Sequence, residues 1–167
     1  MHNELTKVDI EKMQQEIDYR MTVVRPKILE EVKFARSHGD LSENAEYHAA
    51  KRERGKNESR IRFLKNMIKT AVVVDDTSSE DEVGLFDTVT LYIEEDDMED
   101  VVRLATTMRQ DALQNIVSKE SPIGKAIFGK KVGDRVFIEL GKDDGYYAVI
   151  RKIEKGSDDD SLTLRAY

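Results

Sequence analysis

Residues 39–48 read Gly39-Asp40-Leu41-Ser42-Glu43-Asn44-Ala45-Glu46-Tyr47-His48. The stretch is short and polar, it opens on a glycine, and an apolar stripe leads into it from each side. Upstream, Ile10, Met13, Ile17, Met21, Val24, Ile28, Val32 and Ala35 recur at steps of three or four, the spacing of one helical face. Downstream, Tyr47, Ala50, Arg54, Asn57, Ile61, Leu64, Ile68 and Ala71 do the same, as a heptad seam with two polar members. A short link between two helices makes them antiparallel neighbours. The pattern predicts a coiled-coil hairpin with arms of about 30 residues, roughly 45 Å long at ~1.5 Å per residue.

The ends of these helices carry their own signals. Thr6-Lys7-Val8-Asp9 has the form of a capping box. Pro26 removes a backbone donor and should kink the first helix or restart it. Gly39 stands where a helix C-terminus wants positive φ.

Composition divides at the end of the hairpin. The 167 residues hold 27 basic and 34 acidic side chains, a net charge of −7. Residues 1–74 carry 15 basic against 12 acidic groups, and residues 75–167 carry 12 against 22. The balance is therefore +3 on the first part and −10 on the second. Such asymmetry suggests two domains with different partners. We expect a hairpin over 1–75, a polar linker over 76–83 and a second domain over 84–167.

In that second domain, residues 87–93 and 101–105 alternate as strands around an acidic turn at 94–100. Ser121 and Pro122 are start signals for a short helix ending near Gly129. Residues 135–140 and 146–153 form a hairpin about 141–145. Gly129 and Gly133 read as turn residues, and the acidic tail 157–161 as a solvated loop. The predicted fold class is α+β, a helical hairpin followed by a small antiparallel sheet with one short helix.

Several function classes drop out. There is no cysteine, so thiol nucleophiles and zinc-thiolate sites are absent. No apolar run approaches ~18 residues, and the N-terminus does not look like a secretory signal. A cytoplasmic protein is the expectation. His2, His38 and His48 have no familiar metal spacing, and neither a phosphate loop nor a nucleophile elbow occurs. An independent enzyme is not expected.

Chemistry collects at the link. Asp40 and Glu43 could be a capping box, with Ser42 as an alternative cap. They could also be two ligands for a hard cation such as Mg²⁺, which takes one or two carboxylates with phosphates and water. Behind them, Lys51, Arg52, Arg54, Lys56, Arg60, Arg62 and Lys65 face only Glu53 and Glu58, a local balance of +5. That run is either a solvated helix face or a phosphate track, which Arg36 could join.

Residues 35–50, in one-letter form ARSHGDLSENAEYHAA, closely resemble the tip of bacterial Gre-type transcript cleavage factors, of the GreA-like kind. Val24-Arg25-Pro26 is similar to the family too. So are Ser121-Pro122-Ile123-Gly124-Lys125-Ala126 and Gly129-Lys130-Lys131-Val132-Gly133-Asp134. The resemblance runs from about Leu5 to Ile153.

It implies an FKBP-like C-terminal domain without isomerase activity. It also implies a transcription elongation factor that inserts its coiled coil into the secondary channel of RNA polymerase and meets the nascent RNA 3′ end. The polymerase itself would hydrolyse the backtracked RNA, and the factor would not be an enzyme. Asp40 and Glu43 match the family's acidic pair, the implied catalytic carboxylates and ligands of a Mg²⁺ shared with the polymerase. Arg36 and Lys51 fall where the family places basic side chains facing RNA or channel, and Arg52 joins them from the charge count. The free protein is expected to be a monomer.

One departure is visible. Where family members carry a Gly and a Glu-Ala-Asp run, residues 105–112 read Ala-Thr-Thr-Met-Arg-Gln-Asp-Ala. Asp111, Ser121, Pro122, Ile123 and Gly124 remain as candidates for docking on the channel rim. Two alternatives stay open: a channel regulator that does not stimulate cleavage, and a coiled-coil adaptor without a polymerase link.

Overall fold

The computed structural model describes residues 3–39, 43–159 and 161–166. It divides into two units, residues 10–71 and residues 1–9 with 72–166.

The first unit is helical. α1 (Lys7–Tyr19) begins in the other unit and runs into a π-helical turn at Arg20–Val24, then α2 (Arg25–Arg36). Pro26 has no N–H for the carbonyl one turn back. The widened turn just ahead of it absorbs the mismatch, with the Arg25 N–H on the Arg20 carbonyl. The helical path therefore continues through Pro26. α3 (Ala45–Lys69) is the returning arm.

Met13, Ile17, Ile28, Val32 and Ala35 are buried on the outgoing arm, and Ala50, Asn57, Ile61 and Leu64 on the returning one. Two seam expectations fail. Arg54 is exposed and Arg60 is buried instead, while Ala71 leaves the helix for a strand. A guanidinium is buried only where a carboxylate meets it. Arg60 has Glu16, at 2.8 Å from Nε to Oε1 and 3.1 Å from Nη2 to Oε2. Glu16 also accepts from Arg20 Nε at 2.8 Å, and Arg20 Nη1 donates to Asn57 Oδ1 at 3.1 Å. Arg25 clasps Glu58 through two bonds of 2.7 and 2.9 Å. Burial pushes the Glu16 carboxyl up, but the bonds and charges of Arg60 and Arg20 outweigh it and hold it below its ordinary value.

The second unit is built on a five-stranded sheet of order β5-β4-β3-β7-β6. Its strands are β3 (Thr88–Ile93), β4 (Met98–Ala105), β5 (Ile116–Ser118), β6 (Arg135–Gly141) and β7 (Asp144–Glu154). Two short strands, β1 (Asn3–Leu5) and β2 (Ala71–Val73), pair separately, and α4 spans Pro122–Ile127. Alternate residues of the long strands, Val89, Leu91, Val102, Leu104, Val136, Ile138, Ala148 and Ile150, form the core with Phe86 and Ile127.

Two expectations for this unit need correction. The sheet is mixed, because β5 runs parallel to β4. The chain between them turns through a 3₁₀ turn at Ala112–Gln114 and through Asn115, at φ +54°, before re-entering the sheet. The tail is solvated only in part: Ser157, Asp159 and Ser161 are exposed, but the chain around them is anchored. Leu162 is buried in the core, the Arg165 N–H donates to the Met108 carbonyl at 2.7 Å, and Asp158 pairs with Arg109. Gly129 and Gly133 do take positive φ, at +75° and +92°.

Thr6 and Asp9 cap α1 reciprocally, Thr6 N to Asp9 Oδ2 at 2.9 Å and Asp9 N to Thr6 Oγ1 at 3.2 Å. The polar stretch ahead of β3 is tied down by Lys155. Its ammonium donates to Ser78 Oγ, the Ser79 and Glu82 carbonyls and Asp87 Oδ2, at 2.6–3.1 Å.

Candidate functional site

α2 closes at Ser37, and Gly39 takes φ +101° just beyond it. The His38 N–H donates to the Ala35 carbonyl at 3.2 Å. On the far side of the link, α3 starts at Ala45 with Asn44 as its N-cap. Asn44 Oδ1 accepts from the Tyr47 N–H at 3.0 Å, and its Nδ2 donates back to the Ala35 carbonyl at 2.7 Å.

The cap is therefore neither Asp40 nor Ser42. Glu43 lies ahead of the helix, so it is not the third helical residue that a capping box requires. Asparagine caps as well as aspartate or serine, and the link is longer than the pattern suggested. Asp40 and Ser42 themselves lie outside the described residues.

Glu43 is exposed, one residue before the cap. It borders a shallow open cleft with Phe34, His38 and Glu46. Phe34 and His38 pack edge to face with centroids 4.6 Å apart. A carboxylate at this place sits at the positive end of α3. Its capping duty is taken by Asn44, so its oxygens remain available to another group.

The basic side chains gather around Tyr47. The Arg36 guanidinium lies 5.7 Å from the ring centroid. Its hydrogen bond, chiefly, draws the Tyr47 hydroxyl below its ordinary pKa; burial opposes this, and the charges of Lys51, Arg36 and Arg54 assist. Tyr47 also packs on the buried cluster of Ile28, Val32 and Ala50. The structure thus brings together Arg36, Lys51 and Arg54. Arg52 is exposed but is not among the charges acting on Tyr47. The rest of the +5 run divides: Lys56 pairs with Glu53 at 3.1 Å and Arg60 is buried with Glu16, while Arg62 and Lys65 are exposed.

Among the described residues no three His, Asp or Glu side chains could together hold a metal.

The docking candidates lie in the other unit. Ser121 caps α4, accepting from the Gly124 N–H at 3.0 Å and donating to the Ser118 carbonyl at 2.7 Å. Gly124 is buried, and a Cβ there would stand 2.0 Å from the Ser118 oxygen. Asp111 accepts from the Leu113 N–H at 3.0 Å and pairs by backbone with Ile116. Pro122 is exposed and Ile123 half-buried. Three of the five therefore shape the loop, and Pro122 presents the most open surface.

The altered loop before them turns inward. Met108 is fully buried and Arg109 is 1% exposed. Arg109 Nε donates to Asp9 Oδ1 at 2.6 Å and its Nη2 to Thr6 Oγ1 at 3.2 Å. Thr106 Oγ1 also donates to Asp9 Oδ1, at 3.0 Å, and Asp158 pairs with Arg109. This polar cluster draws on positions about a hundred residues apart, and no local pattern announces it.

A family model described as the N-terminal part of the transcription elongation factors matches residues 3–73, and one described as the GreA/GreB C-terminal part matches residues 78–155. The transcription elongation factor GreA of Staphylococcus saprophyticus is 39% identical over 136 residues, covering 81% of this chain and 86% of that protein. That of Streptococcus pneumoniae serotype 19F is 41% identical over 152 residues, covering 90% and 94%. The crystal structure of GreA factor homolog 1 from Thermus thermophilus aligns at a TM-score of 0.43 and 22% identity, over 93% of this chain and all of that one (100%).

Proposed function

The chain belongs to the GreA/GreB family of transcription elongation factors, and from that premise we propose that it stimulates RNA cleavage by a backtracked bacterial RNA polymerase. The hairpin enters the secondary channel, and the second unit docks on the channel rim. The polymerase performs the hydrolysis, and this protein acts as its accessory factor. The observation that carries this reading is Glu43, exposed ahead of a helix that Asn44 already caps.

Glu43, with Asp40 from the same link, offers hard oxygen donors at the end of the hairpin. Together with the polymerase and the RNA phosphates, they would hold a Mg²⁺. When bound, such an ion polarises the scissile phosphate and acidifies a bound water. Arg36, Lys51 and Arg54 surround Tyr47 behind the carboxylates. They supply the positive surface that a displaced RNA 3′ end requires.

Stalled elongation complexes test the assignment. Wild-type protein should release short RNA fragments, and Asp40→Ala and Glu43→Ala should each lose that stimulation at saturating factor. Full cleavage by either variant removes that residue from the site. Binding of the wild-type protein to polymerase without any cleavage would identify a channel regulator of the non-cleaving kind.

A further inference from the structure

We infer that Asn44 is a positioning residue for the cleavage reaction, holding Glu43 in place by tying the two arms of the hairpin together. The inference rests on the function proposed above. Its basis is a pair of hydrogen bonds that one amide makes in opposite directions.

An N-cap needs only an acceptor, and Asn44 Oδ1 supplies it to the Tyr47 N–H. Serine, threonine or aspartate would serve that purpose equally well. The other end of the amide does something a cap does not require. Nδ2 donates at 2.7 Å to the Ala35 carbonyl, nine residues back and in the other arm. That carbonyl also accepts from the His38 N–H at 3.2 Å, so both of its lone-pair directions are used. Asparagine combines the acceptor and the donor in one short side chain.

The tie sits next to the residue that matters. Glu43 is bonded directly to Asn44, so fixing the Asn44 side chain at both ends fixes where the Glu43 backbone leaves the helix. Gly39 is at φ +101°, with open space for 4 Å around the point where a Cβ would stand. The Tyr47 ring, packed on Ile28, Val32 and Ala50 and approached by Arg36, steadies the first turn of α3 from the other side. A small displacement of a reacting group costs up to about a hundredfold in rate, so such a tie bears on cleavage without touching RNA or metal.

Asn44→Ser separates the two bonds, because it keeps a cap acceptor and deletes the cross-arm donor. We expect it to keep its helix content by circular dichroism, slow Tyr47 amide exchange and wild-type affinity for polymerase in a competition assay. Its maximal cleavage rate should fall about tenfold or more, with a raised Mg²⁺ requirement. Asn44→Asp, which sets a carboxylate against the Ala35 carbonyl, should behave alike, and Asn44→Ala should add helix fraying.

Wild-type maximal rate and Mg²⁺ dependence in Asn44→Ser, with Glu43→Ala inactive, would overturn the positioning role and leave the function intact. A loss in Asn44→Ser explained wholly by weaker polymerase binding would overturn it too. Full cleavage by Glu43→Ala would instead overturn the function on which the inference rests.

Discussion

Arg109→Met removes the most deeply buried cation among the described residues. Its guanidinium and the Asp9 carboxylate are both fully buried as side chains, 2.6 Å apart. Methionine approximates the length of the arginine stem but leaves Asp9 without its cation. Breaking a buried pair by removing one partner costs about 3–5 kcal/mol, because a buried charge is left uncompensated. Asp9 would keep the Thr6 N–H at 2.9 Å and the Thr106 hydroxyl at 3.0 Å, which places the loss near the lower end, at about 3 kcal/mol. At roughly 2–4 °C per kcal/mol for a chain of this size, the melting temperature should fall by about 6–12 °C. Differential scanning calorimetry at neutral pH reads this directly. The double variant Asp9→Asn with Arg109→Met should recover part of the loss, since the fully buried carboxylate is neutralised and only the partly exposed Asp158 keeps a charge without Arg109. A single variant within about 1 kcal/mol of wild type, the scale of an exposed pair, would refute the buried-pair role given to this cluster.

Three further outcomes follow from the geometry. Glu16 is held below its ordinary value of 4.5. Its ion pairs therefore contribute stability above the unfolded-state pKa that is lost as pH falls through the folded one. Circular dichroism should show acid unfolding of wild-type hairpin helix with a steeper pH dependence than in Glu16→Gln. Gly124→Ala would press a Cβ to 2.0 Å from the Ser118 carbonyl, and should cost about 1–3 kcal/mol in urea denaturation. Arg36→Met should raise the Tyr47 pKa, because the Arg36 bond is the largest cause of its lowering; an NMR pH titration of the Tyr47 ring reads the change.

Much of this architecture is legible in the order of residues. Ile17, Ile28, Val32, Ile61 and Leu64 recur at helical steps because a two-helix seam can be filled in few ways, and all five are buried. The capping box at Thr6 and the turns at Gly129 and Gly133 are local motifs, set by neighbours in the chain. What escapes is long-range or degenerate. Arg54 and Arg60 are chemically alike, and only Glu16, 44 residues away from Arg60, decides which is buried. Asp40, Ser42 and Asn44 are all competent caps, and the length of the link selects Asn44. β5 has three residues, too few for a period to show. Arg109 reads as a surface charge in a polar loop until Asp9 and Asp158 meet it. At the candidate site, the motif alone points to the two carboxylates and Arg36. The cross-arm amide of Asn44 and the gathering of Arg54 at Tyr47 required the folded hairpin.

The proposed cleavage role stands or falls on the rate of RNA release from stalled bacterial elongation complexes, measured with wild-type protein and with Glu43→Ala at saturating factor and Mg²⁺. Rapid release is expected with wild type, and release at the factor-free rate with Glu43→Ala, at unchanged polymerase binding. Equal release by the two proteins would contradict that role.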